Sequence, residues 1–194
     1  MKAVIDTDRS ALVLHKIDSE MCDIIRQCAE ICDPELLVKP DIIVYGKVCH
    51  QNRSVGFYSD TSIGYYYSGK IAPSKKLHPC MQELLAYVND KFGYDYNGIL
   101  INKYDGGSEY LSKHSDDETG LDPRVGVVAI SYGAVRKFRI RDKKTGKIVM
   151  DIPTESNKMI QMYGHFQKEF THEIPVEKKV NGVRYSFTFR KHLV

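Results

Sequence analysis

The spacing of apolar positions along the chain changes period twice. Over residues 18–37, Met21, Ile24, Ile25, Cys28, Ile31 and Cys32 recur at three- and four-residue steps. That spacing predicts a helix, with Asp18 or Ser19 as its cap and Pro34 just past its end. Between 40 and 71 the period shortens. DIIVYGKV and GYYYSGKI are β-type runs rich in tyrosine and broken by Gly, Asn and Ser. Leu77, Met81, Leu84, Leu85 and Val88 then form one apolar stripe, which predicts a second helix over about 75–92.

From residue 98 the pattern is strand after strand. GILINKY, VGVVAISYG, RKFRIRD, KIVMDIP, NKMIQMYG, THEIPV and VRYSFTFRK are separated by Gly, Pro or Asn, and DKKTGK (142–147) reads as a hairpin turn. Many short strands after two early helices, without βαβ alternation, predict a mainly β (α+β) fold: an antiparallel barrel or a double-sheet jelly roll.

Composition narrows the class. A chain of 194 residues, 42% hydrophobic and 27% charged, suits one globular domain. Lys plus Arg is 28 against 25 for Asp plus Glu, a net +3 that permits a polyanionic partner without requiring one. The five cysteines are an odd number with no Cys-x-x-Cys pair, which excludes a zinc knuckle and points to reduced thiols in an intracellular protein. Charges interrupt the apolar positions of the N-terminus, so no signal peptide is expected. No apolar run is long enough to span a bilayer, so no membrane association is expected.

Three polar clusters fall on the strand-rich half. In YLSKHSDDE, an extended backbone sends His114 and Asp116 to the same face, where an imidazole and a carboxylate can share a metal ion. His172 lies on a later strand of its own. In the last strand, Arg184, Ser186, Thr188 and Arg190 alternate with three aromatics. Buried cations need an anionic guest, because an unpaired buried charge is costly. Two histidines and a carboxylate make the facial triad of non-haem Fe(II) oxygenases, and arginines beside it suit a dicarboxylic acid. Fe(II) with such an acid suggests 2-oxoglutarate. Taken singly, a His-x-Asp pair is common by chance and a strand histidine is usually structural; the three clusters in this order are not.

At these residues the chain resembles the AlkB family of Fe(II)/2-oxoglutarate nucleic-acid dealkylases, over roughly residues 41–191. The resemblance implies His114, Asp116 and His172 as iron ligands and as the catalytic centre. It implies Asn102 and Tyr104, in the family's Asn-x-Tyr, together with Arg184, Ser186, Thr188 and Arg190 as the 2-oxoglutarate clamp. Within the family the likeness is to the member that repairs double-stranded DNA. Val44-Tyr45-Gly46-Lys47 resembles its aromatic finger hairpin, and Tyr65-Tyr66-Tyr67-Ser68-Gly69 its lid. Tyr65 and Tyr67 would then meet the flipped base, Asp117 and Glu118 would face it, and Lys47, Arg53, Lys178 and Lys179 would meet phosphate. Arg136 stands where the family places an arginine near the site. The chain departs from the pattern at Asn52, where the family has Pro, and at Glu177, where it has a basic residue.

The implied organisation is one domain over 1–194: a helical extension (1–40), a nucleotide-recognition lid (41–73) and a jelly-roll core (98–191). The implied activity is oxidative demethylation of 1-methyladenine- and 3-methylcytosine-type bases in DNA by a monomer, nuclear if the source is eukaryotic. No sliding-clamp docking motif is evident. The alternatives are the same chemistry on single-stranded DNA or RNA, hydroxylation of a protein side chain, or a non-catalytic nucleic-acid-binding barrel. For the tyrosine run the bland reading is a half-buried strand pair, and for Arg136–Lys144 a solvated hairpin rather than a phosphate-tracking ridge.

Overall fold

The computed structural model describes residues 2–44, 46–62, 64–67, 70–156 and 158–193, with the backbone alone at 44, 66, 67, 70 and 71. In chain order, β1 (Lys2–Asp6) and β2 (Ser10–Lys16) precede α1 (Met21–Cys32) and a 3-10 turn (Asp33–Glu35). Next come β3 (Asp41–Val44), β4 (Lys47–His50), β5 (Ser54–Tyr58), β6 (Gly64–Tyr67), β7 (Lys70–Lys75) and α2 (Pro79–Phe92). They are followed by β8 (Gly98–Gly106), β9 (Leu111–His114), β10 (Val127–Gly133), β11 (Lys137–Asp142), β12 (Ile148–Pro153) and β13 (Lys158–Gly164). A single helical turn, α3 (Phe166–Glu169), then leads to β14 (Phe170–Ile174) and β15 (Asn181–Arg190).

Nine strands pair in the order β1-β2-β13-β10-β15-β8-β5-β7-β6, and four in the order β12-β11-β14-β9; β3 and β4 form a separate hairpin. All pairings are antiparallel except β5 with β7. One face of the large sheet packs on the helices: Ile99, Ile101, Val128, Ile130, Phe187 and Phe189 meet Ile25, Cys28, Met81 and Leu84. The other face meets the small sheet, where Tyr104, Val127, Ile160 and Met162 pack with Phe138, Ile140 and Ile174. This double-sheet jelly roll is the expected fold class.

Strand alternation decides what β15 offers each side. Phe187 and Phe189 are fully buried on the helix side, each worth about 1.5–3 kcal/mol of hydrophobic burial. Arg184, Ser186, Thr188 and Arg190 therefore point between the two sheets. The register sets Ser186 beside Asn102 and Arg184 beside Tyr104, so the β8 pair expected to share their cavity does so.

The structure corrects several boundaries. The first helix begins at Met21 behind Glu20, with no side-chain cap; the Asp18 carboxylate instead accepts hydrogen bonds from Tyr87 (2.8 Å) and Lys91 (3.3 Å). Residues 1–40 are not simply helical, because β1 and β2 extend the large sheet through β13, with Leu12 and Val13 buried. The second helix starts at Pro79 rather than near 75, since β7 occupies 70–75 and pairs with both β5 and β6. It ends at Gly93, whose left-handed φ of 65° glycine adopts without strain. All five cysteines are free. Among the described residues no helix is long and apolar enough to cross a membrane.

Candidate metal centre and its cavity

His114 ends β9 and His172 lies on β14, directly opposite it in the small-sheet register. Their rings sit 4.3 Å apart between centroids. Asp116 lies two residues beyond β9 and turns its carboxylate between them, 3.7 Å from His114 Nε2 and 3.6 Å from His172 Nε2. One donor atom from each residue falls within 4.8 Å of the others. The backbone oxygen of Ser112, 2.9 Å from His114 Nδ1, can only accept, so that nitrogen carries the proton and Nε2 presents a lone pair.

The protonation states suit a cation. Burial pushes the His172 imidazole down to about 3, helped by the neighbouring His114, and burial lowers His114 as well. Burial alone would raise the Asp116 carboxyl, but Arg190, His172 and His114 outweigh it and hold it below the usual carboxylate range. Two neutral imidazoles and a carboxylate are the forms that bind a divalent metal. Asp116 Oδ2 is buried and accepts no hydrogen bond among the described residues. A buried carboxylate oxygen left without a partner is what a metal ligand looks like before the metal is counted.

The triad opens on a narrow cavity of about 40 Å³ between the sheets, which Asn102, Tyr104, Arg184, Ser186, Thr188 and Arg190 also line. Arg190 donates from Nη2 to Asp116 Oδ1, yet its Nε and Nη1 have no hydrogen-bond partner among the described residues. Arg184 is 2% exposed, lies over the Tyr104 ring at 5.3 Å and bonds only hydroxyls, Ser131 Oγ at 2.8 Å and Thr154 Oγ1 at 3.2 Å. No carboxylate pairs with it among the described residues, its Nη1 is unsatisfied, and burial lowers its affinity for a proton. A buried guanidinium in this state is built for an anion. The donor set and the unsatisfied arginines fit Fe(II) with a dicarboxylic co-substrate.

The residues expected to meet substrate are dispersed. Tyr65 lines the same cavity; its ring lies under the Arg190 guanidinium at 5.0 Å and its hydroxyl donates to Glu118 Oε1. Asp117 and Glu118 line a wider adjoining cavity of about 270 Å³ that shares Asp116. Asp117 pairs with Lys143 at 2.9 Å. Arg53, expected at phosphate, is 5% exposed, donates to Asn102 Oδ1 at 2.6 Å and lines the cavity. Gly46 and Lys47 lie on the separate β3–β4 hairpin; Tyr45 and the Tyr67 side chain lie outside the described residues.

Arg136 is buried beside Tyr104 but bonds the backbone oxygens of Gly106, Glu109 and Pro175 and pairs with Glu177 at 3.3 Å, which fixes loops rather than facing the cavity. Along 136–144, Arg139 pairs with Asp151 (2.7 Å) across the β11–β12 hairpin and Arg141 with Glu173 (2.8 Å) on β14, so both arginines are neutralised by carboxylates. Sequence reasoning missed Arg53 as a cavity residue and the contact between Gln167 and Asp116 described below. Neither carries a local pattern that would reveal it.

A facial His-Asp-His cluster in a jelly roll, above a cavity lined by the buried Arg184 and Arg190, defines a metal-dependent oxygenase that takes a dicarboxylic co-substrate. The chain belongs to the 2OG-Fe(II) oxygenase superfamily, whose signature matches residues 17–190. Within it the likeness is to AlkB-type proteins. The chain is 31% identical to the human DNA oxidative demethylase ALKBH2 over 78% of its own length and 60% of that protein's. It is 26% identical to the Arabidopsis thaliana DNA oxidative demethylase ALKBH2, over 78% of this chain and 57% of that one. It is 28% identical to the human alpha-ketoglutarate-dependent dioxygenase alkB homolog 3, over 72% and 51%. The chain thus spans between half and two-thirds of the length of these relatives. The solved structure of OsALKBH1 shares the fold, with a TM-score of 0.59 at 19% identity, covering 93% of this chain and 97% of that one.

Proposed function

We propose that this chain removes methyl groups oxidatively from base nitrogens in DNA, with 1-methyladenine and 3-methylcytosine as substrates. The observation that carries the reading is the His114-Asp116-His172 cluster opening on the cavity of Arg184 and Arg190. The names of the relatives support DNA as the substrate class. His114, Asp116 and His172 would hold Fe(II), and Arg184 and Arg190 the carboxylates of 2-oxoglutarate. Together with O2 these supply oxidation of the N-methyl carbon, which leaves as formaldehyde while 2-oxoglutarate becomes succinate and CO2.

The rest of the site would present the base and keep water out. A methyl on a Watson–Crick edge is reachable only after the base leaves the stack, at a cost of a few kcal/mol. Stacking on an aromatic side chain returns about 1–3 kcal/mol per base, a role for Tyr65 and Tyr67, with Tyr45 filling the gap left behind. Asp117 and Glu118 would favour a methylated base carrying positive charge. Lys47, Lys178 and Lys179 would meet phosphate; the Glu177 carboxylate is taken up by Arg136 and Lys137. A eukaryotic chain of this kind would work in the nucleus.

The test is formaldehyde release from methylated oligonucleotides, in single and double strands, with Fe(II) and 2-oxoglutarate supplied. Turnover on either strand form, lost in Asp116→Ala while oligonucleotide binding persists, is the expected result. No release from 1-methyladenine or 3-methylcytosine in any strand form would refute the proposal.

A further inference from the structure

The two histidines and the carboxylate of the metal centre are not held in the same way. His114 and His172 are register partners in the small sheet, so the ladder fixes both backbones. Asp116 lies past the end of β9, where no ladder continues. Its backbone N–H is partly buried, and without a partner it would be both costly and free to swing.

The single helical turn α3, just before β14, supplies that partner. Gln167 Oε1 accepts the Asp116 N–H at 2.9 Å. A backbone N–H can only donate, so the amide must offer its oxygen, which turns Nε2 to the Met162 sulfur at 3.8 Å. Two flanking ties act on the same stretch. Ser115 Oγ donates to the Phe170 oxygen at 3.0 Å. Lys143 bridges Asp117 Oδ2 at 2.9 Å and the Gln167 oxygen at 3.0 Å, while its own N–H reaches the Glu169 oxygen at 2.9 Å. Residues 115–117 are thus sewn to α3 and the first residue of β14, and α3 runs directly into that strand, which bears His172.

We propose that Gln167 is a positioning residue for the metal centre: it fixes the Asp116 backbone so that the carboxylate stays turned between the two imidazoles. Arg190 holds one carboxylate oxygen, so Asp116 is fixed from both ends. Groups that orient a metal ligand in this way typically govern about 10- to 100-fold in metal affinity. The inference rests on the reading of His114, Asp116 and His172 as metal ligands.

The test measures the affinity of the full chain for Mn(II), from the electron paramagnetic resonance signal of the free ion, and the visible spectrum of the Co(II)-substituted protein. Gln167→Leu keeps the volume and removes the acceptor. It is expected to bind Mn(II) at least tenfold more weakly and to change the Co(II) band pattern. Gln167→Glu keeps an acceptor oxygen and is expected to restore affinity to within about threefold of wild type, well short of the full loss. A purely structural role would lower the urea midpoint and leave Mn(II) affinity of the folded protein unchanged; that result overturns the inference. Should Gln167→Leu not fold, Gln167→Asn, one methylene short of the N–H, is read by the same criteria. Failure of the wild-type chain to bind Mn(II) or Co(II) would instead overturn the metal centre itself.

Discussion

Replacing Arg184 with methionine separates what this arginine costs the fold from what it gives the site. Arg184 is 2% exposed, and its guanidinium has no acidic partner among the described residues. Taking an ion out of water costs several kcal/mol, and here two hydroxyl acceptors, Ser131 at 2.8 Å and Thr154 at 3.2 Å, offset only part of it. Arg184→Met removes the charge at similar volume. It leaves the Ser131 hydroxyl short of one partner, a loss of about 1 kcal/mol. The protein without co-substrate is therefore expected to be as stable as wild type, or up to about 2 kcal/mol more stable.

Co-substrate binding should move the other way. Two charge-assisted hydrogen bonds to a carboxylate, at about 1.5–3 kcal/mol each, sum to roughly 3–6 kcal/mol, or about 100- to 10,000-fold in Kd. Urea unfolding with Mn(II), with and without 2-oxoglutarate, reads both effects. At a concentration 100 times its Kd, wild type gains about 2.7 kcal/mol. At that concentration the variant, weakened at least 100-fold, gains at most about 0.4 kcal/mol. A variant that 2-oxoglutarate stabilises as strongly as wild type would refute the reasoning, as would a loss of more than about 2 kcal/mol without co-substrate.

Two more outcomes follow from the packing and the buried histidines. A Cβ added at Gly107 would stand 1.9 Å from the Glu177 oxygen, so Gly107→Ala should cost about 1–3 kcal/mol in urea unfolding; an unchanged midpoint would contradict that close approach. In the metal-free protein burial, aided by His114, pushes His172 down to about 3, and burial, aided by Arg190, pushes His192 down to about 4. Unfolded histidine takes up its proton near 6.5 while the folded groups do not, so stability is full above that pH and falls as pH drops towards 4. The slope is about 1.4 kcal/mol per pH unit for each histidine. Equal stability of the metal-free protein at pH 7 and pH 5 would rule this out, and His192→Leu should make the slope shallower.

Much of the site was legible because strand alternation is local. A period of two along 184–190 sorts four polar residues from three aromatics whatever the strand pairs with, and His114 with Asp116 follows the same rule. The rule holds even though Asp116 lies beyond the strand end. The helix stripes were legible for the same reason, but their boundaries were not. Asp18 looks like a cap until the Tyr87 hydroxyl and Lys91 on the second helix claim its carboxylate.

What the sequence by itself determined is therefore which side chains share a face: the clamp on β15, the Asn102 and Tyr104 pair, and the His-x-Asp. Tertiary structure alone decided which faces meet. It set His172 opposite His114, carried β1 and β2 to the far side of β13, drew Arg53 inside the cavity and put Gln167 under Asp116. The physical reason is that burial periodicity is a property of neighbouring residues, whereas strand pairing joins segments far apart in the chain. Closing a longer loop costs only about 0.6 kcal/mol per doubling of length, so chain separation barely discriminates between partners. The choice is left to the packing of the whole core, which no single stretch of sequence contains.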